Sequence, residues 1–240
     1  MPRAHAATQR PGDRTYQCDA WVARHSTHGE HAYVILDGIG DNAATQRWTR
    51  RQAMRIAANC TALSEPTEAL RIQRAAALAA KEWAEDDYAD AVAVAALWNP
   101  ALGCLEVGWC GDSRAYLLMD DGRMTPLTTD HNLRQALVTQ GLEAHPDDRN
   151  SVTSSLAWHG DIGTTVLDLE GGRLLLASDG CYEPIDDSGR DLGQELARYR
   201  DPLDTANHLV NLAINLGYGR YRDNATCLVA DLAQPRPTPC

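Results

Sequence analysis

Residues 31–41 read HAYVILDGIGD, an apolar run that stops at Asp37-Gly38. Tyr33, Val34, Ile35 and Leu36 are too few for an ordinary helix and are the residue types that fill a buried strand, so they predict a strand with Asp37 at its exit. Gly38 and Gly40 would free the backbone to turn there, and a carboxylate beside exposed main-chain carbonyls suits a hard cation. Taken alone, an Asp-Gly pair at a strand end is more often just a turn.

The pattern recurs. Residues 173–180, RLLLASDG, run a second apolar strand into Asp-Gly, and residues 105–114, LEVGWCGDSR, run a third into Gly111-Asp112-Ser113-Arg114. Arg222-Asp223-Asn224-Ala225-Thr226 immediately precedes the apolar stretch CLVADL. Two carboxylates about 4 Å apart repel by roughly 4 kcal/mol at an effective dielectric near 20, so a converging set must bind cations or give up charge. Hard oxygen ligands select magnesium or manganese.

Composition narrows the alternatives. The 240 residues suffice for one large domain, and 44% hydrophobic with 23% charged residues is ordinary for a globular chain. A formal charge of −11 disfavours nucleic acid as a partner. No apolar run approaches a membrane span, and MPRAHAATQRPGD lacks the apolar core of a signal peptide, which predicts a cytoplasmic protein away from membranes. Seven cysteines without CxxC spacing read as reduced, mostly buried residues.

In chain order, residues 14–26 predict a strand paired with 31–37 through a turn at 27–30. Residues 42–61 predict a helix, and Ser64-Glu65-Pro66 opens a second, running to about Glu85 with Ile72, Ala75, Ala79 and Trp83 as its buried stripe. Strands over 89–98, 104–110, 114–119 and 123–128 suggest an antiparallel meander. A short helix is expected over 132–140, then a long irregular stretch, 142–162, of the kind that is functional or mobile. A hairpin of 164–169 with 173–178, helices near 190–200 and 202–216, and a strand at 225–232 complete the chain. Ser113 fits a serine hydrolase poorly, because it is mid-chain and the last histidine, His208, lies in an amphipathic helix pattern.

Asp37-Gly38-Ile39-Gly40, VGWCGDSRAY (107–116), Leu127-Thr128-Thr129-Asp130-His131, LLASDG (175–180) and Asp223-Asn224-Ala225-Thr226 together resemble the ordered motifs of metal-dependent serine/threonine protein phosphatases of the 2C (PPM) type, in their bacterial form. The resemblance implies an α+β, four-layer αββα sandwich over residues 12–232, with a flap at about 142–162, a flexible stretch at 1–11 and a disordered tail at 233–240. It implies hydrolysis of phosphoserine and phosphothreonine on proteins by a water bridging two Mn²⁺ or Mg²⁺ ions, without a covalent intermediate. Asp37 and the Gly38 carbonyl, with Asp179 and Asp223, would hold the two ions; Asp19 matches a further family aspartate, and Asp112 would serve a third ion. Arg14 would bind the substrate phosphate, and His145 in the flap would help bind substrate. Implied partners are phosphorylated proteins and a serine/threonine kinase, with the phosphatase itself a monomer in signalling.

Four positions depart from the family pattern. Cys18 replaces a glutamate, Ile39 a histidine found in many eukaryotic members, Gly40-Asp41 a Gly-Gly pair, and Ala89-Asp90-Ala91 a Gly-Thr-Thr. Asp41 would be the cap of the first helix or an outer-sphere ligand, and Cys18 a filler or a thiol activated by nearby metal. Departures around a site also motivate the alternative of a catalytically inactive, phosphatase-like binding module.

Overall fold

The computed structural model describes residues 4–81, 89–217 and 221–233. In chain order the strands are β1 (His5–Arg10), β2 (Ala20–His25), β3 (His31–Ile39), β4 (Asp90–Asn99), β5 (Cys104–Cys110), β6 (Arg114–Leu118), β7 (Met124–Pro126), β8 (Gly163–Asp168), β9 (Gly171–Ala177) and β10 (Ala225–Ala233). The helices are α1 (Ala43–Leu63), α2 (Pro66–Lys81), α3 (Leu133–Thr139), α4 (Asp179–Asp187), α5 (Leu192–Ala197) and α6 (Pro202–Leu216). Two antiparallel five-stranded sheets result, ordered β1-β10-β9-β6-β7 and β2-β3-β4-β5-β8.

The unbroken apolar run of β3 is explained by burial on both faces. Tyr33 and Ile35 point between the sheets, against Val94, Val107, Leu174, Leu176 and Leu228. Val34 and Leu36 point outward, under Ile56 of α1 and Leu70 of α2. Across the other sheet, Leu175 and Val229 meet Ile185, Leu209 and Val210 of α4 and α6. This is the αββα sandwich, each buried aliphatic side chain contributing roughly 1.5–3 kcal/mol.

Several expectations are corrected. Residues 5–10 are not a flexible terminus: they form β1, paired along its length with β10. Only 20–25 of the expected 14–26 strand is extended as a ladder, because the segment before it is tied down by side chains of the site. β3 continues to Ile39, so Asp37 lies inside the strand, opposite Val92, rather than at its exit. The meander is broken between β5 and β6, which belong to different sheets and are joined across Gly111 at φ +92°. β8 and β9 likewise fall in different sheets, so they are not a hairpin. Helix α4 was missed, since its Asp-Gly start and internal Pro184 read as a turn. The buried stripe of α2 is Thr67, Ala69, Leu70, Gln73, Arg74 and Ala77, not Ile72, Ala75 and Ala79, because three polar side chains, Thr67, Gln73 and Arg74, face inward. Trp83 and the expected helix beyond Lys81 lie outside the described residues, as do residues 234–240 of the tail.

At the end of β3 opposite Asp37, His5 of β1 meets the cross-strand pair His25 and His31, with ring centroids 5.5 Å and 4.3 Å apart in sequence. Nδ1 of His5 and of His31 is buried without a hydrogen-bond partner among the described residues. Burial, then the neighbouring imidazoles, holds both below the ordinary histidine value of 6.5. The unfolded chain therefore binds these protons more readily, so their contribution is intact above 6.5 and is lost as pH falls below it. The expected outcome is a melting temperature that drops more steeply from about pH 7 to about pH 5 in the parent than in His31→Gln, followed by calorimetry.

Candidate active site

The acidic residues predicted from four separate stretches come to one end of the sandwich. Gly38 lets this happen on the β3 side, because a Cβ there would lie 2.5 Å from the Cys18 carbonyl and 2.9 Å from the Thr45 and Thr49 methyls of α1. The segment carrying Asp19 can thus lie directly against Asp37. Gly180 does the same in the other sheet, where a Cβ would lie 2.2 Å from the Asn224 carbonyl and so separate α4 from the start of β10. Asp179, at the first position of α4, and Asp223, just before β10, are neighbours for that reason.

Electrostatics record the convergence. Desolvation, reinforced by Asp19 and Asp179, pushes Asp37 well above the usual carboxylate range, and Asp37 shares a hydrogen bond with Asp179. Burial, opposed by hydrogen bonds and reinforced by Asp179 and Asp223, raises Asp19 to about 7. Asp179 is raised by burial first, with Asp223 adding to it. Asp112, only 6% exposed, is also pushed well up by burial, then by Asp179 and Asp130. Asp19, Asp37 and Asp179 are thus each raised by burial and by neighbouring carboxylates, and Asp112 joins them through Asp179.

Their partners are unequal. Asp19 Oδ2 accepts from Ser178 Oγ at 3.0 Å, while its Oδ1 is buried with no partner among the described residues. Asp223 accepts a two-pronged hydrogen bond from Arg14, at 2.7 Å from Nε and 2.6 Å from Nη2. Arg14 also lies over the Tyr221 ring. The expected phosphate binder and one expected metal ligand are therefore paired with each other.

Other expected residues are used differently. Asp41 does not cap α1: Asn42 does, accepting from Thr45 N, while Asp41 accepts from the Thr15 and Tyr16 amides and holds the loop that carries Arg14. Cys18 is fully buried, and burial raises its thiol rather than activating it. His145 is exposed and caps the short 3-10 helix Pro146–Asn150, its Nδ1 accepting from Asp147 N. It is absent from the lining of the groove beside the acids.

Sequence reading overlooked three contributors. Asn224 accepts from Cys18 N and donates to the Pro11 and Tyr16 carbonyls, stapling the Arg14 loop to β10. Its place beside Asp223 in the quoted motif was the available signal. Tyr182 donates to the Asp112 carbonyl at 3.0 Å. Arg149, from the irregular stretch, pairs with Asp187 and Glu183 of α4. With Asp179, Asp223 and Tyr221 it lines a groove of about 400 Å³.

The donor set fits a hard divalent cation: all the converging side-chain donors are oxygens, they repel one another, and a buried carboxylate oxygen of Asp19 has no partner among the described residues. Among the described residues, no three His, Cys, Asp or Glu side chains already close around one point as ligands. Arg14 and Ser178 satisfy part of the set.

Comparison with known proteins agrees with this arrangement. The protein phosphatase 2C family model matches residues 28–136. The serine/threonine protein phosphatase PstP of Mycobacterium tuberculosis is 34% identical over 131 residues, a match spanning 51% of this chain but only 24% of that relative. The solved structure of the M. tuberculosis phosphatase PstP/Ppp superposes with a TM-score of 0.77 at 27% identity, covering 96% of this chain and 98% of the other. A structure of the PstP catalytic domain with two manganese ions gives 0.78 at 26%, again over 96% and 98%. A Streptococcus agalactiae serine/threonine phosphatase shares the fold with a TM-score of 0.81 at 19% identity, over 96% and 99%. Two antiparallel five-stranded sheets flanked by helices, together with these matches, give the chain the fold of the bacterial PPM phosphatases and a homology to the protein phosphatase 2C family that the family model traces over residues 28–136.

Proposed function

We propose that this chain hydrolyses phosphoserine and phosphothreonine monoesters on proteins, using two Mn²⁺ or Mg²⁺ ions. The observation that carries the reading is the convergence, from two different sheets, of Asp37, Asp179 and Asp223 beside the Arg14 guanidinium. The 2C family match and the relatives named as serine/threonine phosphatases support it. Among the described residues no helix is long and apolar enough to cross a membrane.

Asp37, Asp179 and Asp223, with the Gly38 carbonyl, are the residues that would hold the ions; Asp19 would assist, and Asp112 would serve a third. Bound divalent cations supply Lewis-acid activation of water and of the phosphate oxygens. The chain supplies the rest. Asp37, inside a strand packed on both faces, is a rigid member of the centre. Arg14 offers a permanently charged planar fork suited to two phosphate oxygens, and Asp41 and Asn224 fix the loop that carries it. Ile39 cannot donate a proton, so the leaving alkoxide must take its proton from water.

In a metal-stripped preparation, added Mn²⁺ is expected to raise the melting temperature and to start release of phosphate from a phosphothreonine peptide. Asp179→Asn should abolish at least about a hundredfold of that rate and most of the Mn²⁺-induced shift. Stabilisation without turnover in the parent would instead indicate a binding module, and the absence of both responses would overturn the metal assignment.

Arg14→Ala is expected to lower kcat/KM by about a hundredfold, with Arg14→Lys recovering part of it, since lysine restores charge without the fork. Steady-state kinetics on the same peptide check this. Equal loss in both variants would point to geometry, and no loss in Arg14→Ala would remove it from the site.

A further inference from the structure

Two polar side chains, the buried Arg74 of α2 and the half-buried Asp90 of β4, have no role in the centre described above. Both reach the same stretch of chain. Arg74, 9% exposed, donates from Nε to the Ser155 carbonyl at 3.0 Å, from Nη1 to the Gly160 carbonyl and from Nη2 to Ser154 Oγ at 2.8 Å. Asp90 accepts from Ser155 Oγ at 2.6 Å on one oxygen, and from the Ala91 and Ala157 amides at 2.7 Å on the other. Between these grips, the Leu156 amide donates to the Ala91 carbonyl, and the Leu156 side chain is fully buried against α1 and α2.

The gripped stretch borders the site. Ala91 stands opposite Gly38 in the ladder, so the Leu156 bond reaches the strand next to Asp37. A Cβ on Gly111, next to Asp112, would approach the Ser154 carbonyl at 3.2 Å. Immediately upstream, Arg149 and Asn150 line the groove with Asp179 and Asp223, and Arg149 is tied to α4. The long irregular stretch is thus fastened to one sheet at 154–160 and to the helix of the other at Arg149. Buried carbonyls and amides fastened in this way carry a large penalty if released.

We propose that Asp90 and Arg74 are positioning residues that hold residues 151–160 as a fixed wall behind Arg149 and Asn150, which line the groove, so that a protein substrate is selected against a preset surface rather than by a mobile lid. This rests on the phosphatase reading for its substrate. It also gives the Ala89-Asp90-Ala91 sequence a purpose of its own: the carboxylate serves a loop, not an ion.

The test uses the Mn²⁺-loaded protein, hydrogen exchange, and two probes, phosphorylated casein and p-nitrophenyl phosphate. Asp90→Ala should speed exchange at Leu156 and Ala157 by at least about tenfold and raise KM for casein by about tenfold, with kcat for the small ester within about twofold. Asp90→Asn keeps an acceptor for the two amides and should restore most of both. Arg74→Met and Ser155→Ala carry the same measurement if Asp90→Ala fails to fold. Unchanged exchange in these variants overturns the wall, and an equal fall in kcat on both probes overturns it in favour of a role in the metal centre. If the parent hydrolyses neither probe, the phosphatase reading falls, while the exchange arms still decide whether the wall exists.

Discussion

Repulsion between buried carboxylates is the constraint around which this molecule is arranged. Asp37 comes from one sheet and Asp179 and Asp223 from a helix start and a strand start beside the other; Asp179 and Asp223 raise the proton affinity of Asp37, and Asp223 that of Asp179. At roughly 4 kcal/mol for two charges about 4 Å apart, a handful of such pairs would exceed the roughly 5–15 kcal/mol by which a domain is stable. Only a stiff, extensively buried framework can keep them together. β3 provides it, with Tyr33 and Ile35 locked between the sheets and Val34 and Leu36 beneath the helices. Gly38 and Gly180 then bring main chain closer than any side chain would permit, on both sides of the same set.

The same constraint accounts for the pairings seen around the site. Where an acid can reach a donor it does so: Asp223 takes both prongs of Arg14, and Asp19 takes the Ser178 hydroxyl. Asp19 still keeps an unanswered oxygen among the described residues, and its carboxyl is pushed to about 7, which is how an acid responds when burial and like charge act together. A divalent cation would answer all of these at once, and the remaining guanidinium would then face whatever anion enters the groove. The partnering of Arg14 with Asp223 is thus one solution of a charge-balance problem.

Much of this was legible in the sequence. The apolar runs ending in aspartate identified β3, β5 and β9, and the aspartate ahead of an apolar run identified β10, giving four members of the acidic set, because strand burial on both faces leaves an unmistakable composition. The connections were less visible. Whether β8 and β9 share a sheet depends on how the chain crosses between layers, and Gly171-Gly172 looks the same in either case. β1 carries His, Thr, Gln and Arg and resembles a solvated tail until β10 offers it a partner. Helix α4 hid behind an Asp-Gly that looks like a turn and is in fact the helix start. The inward face of α2 was misjudged because Gln73 and Arg74 are polar, and nothing local announces that a guanidinium will be buried by loop carbonyls.

The departures from the family pattern now carry a different weight. Cys18, Asp41 and Asp90 were the grounds for an inactive binding module, on the view that a decaying site accumulates them. Each instead has a defined place in the structure. Cys18 fills space beneath Asn224, Asp41 holds the Thr15 and Tyr16 amides, and Asp90 grips Ser155 and Ala157. Asp41 and Asn224 both steady the loop that bears Arg14. Residues freed from a site would not be expected to rebuild its supports, and mutually repelling acids would be the first to go once no cation offset their repulsion. Asp37, Asp112 and Asp179 stay buried beside these supports, so the departures leave the acidic set itself intact.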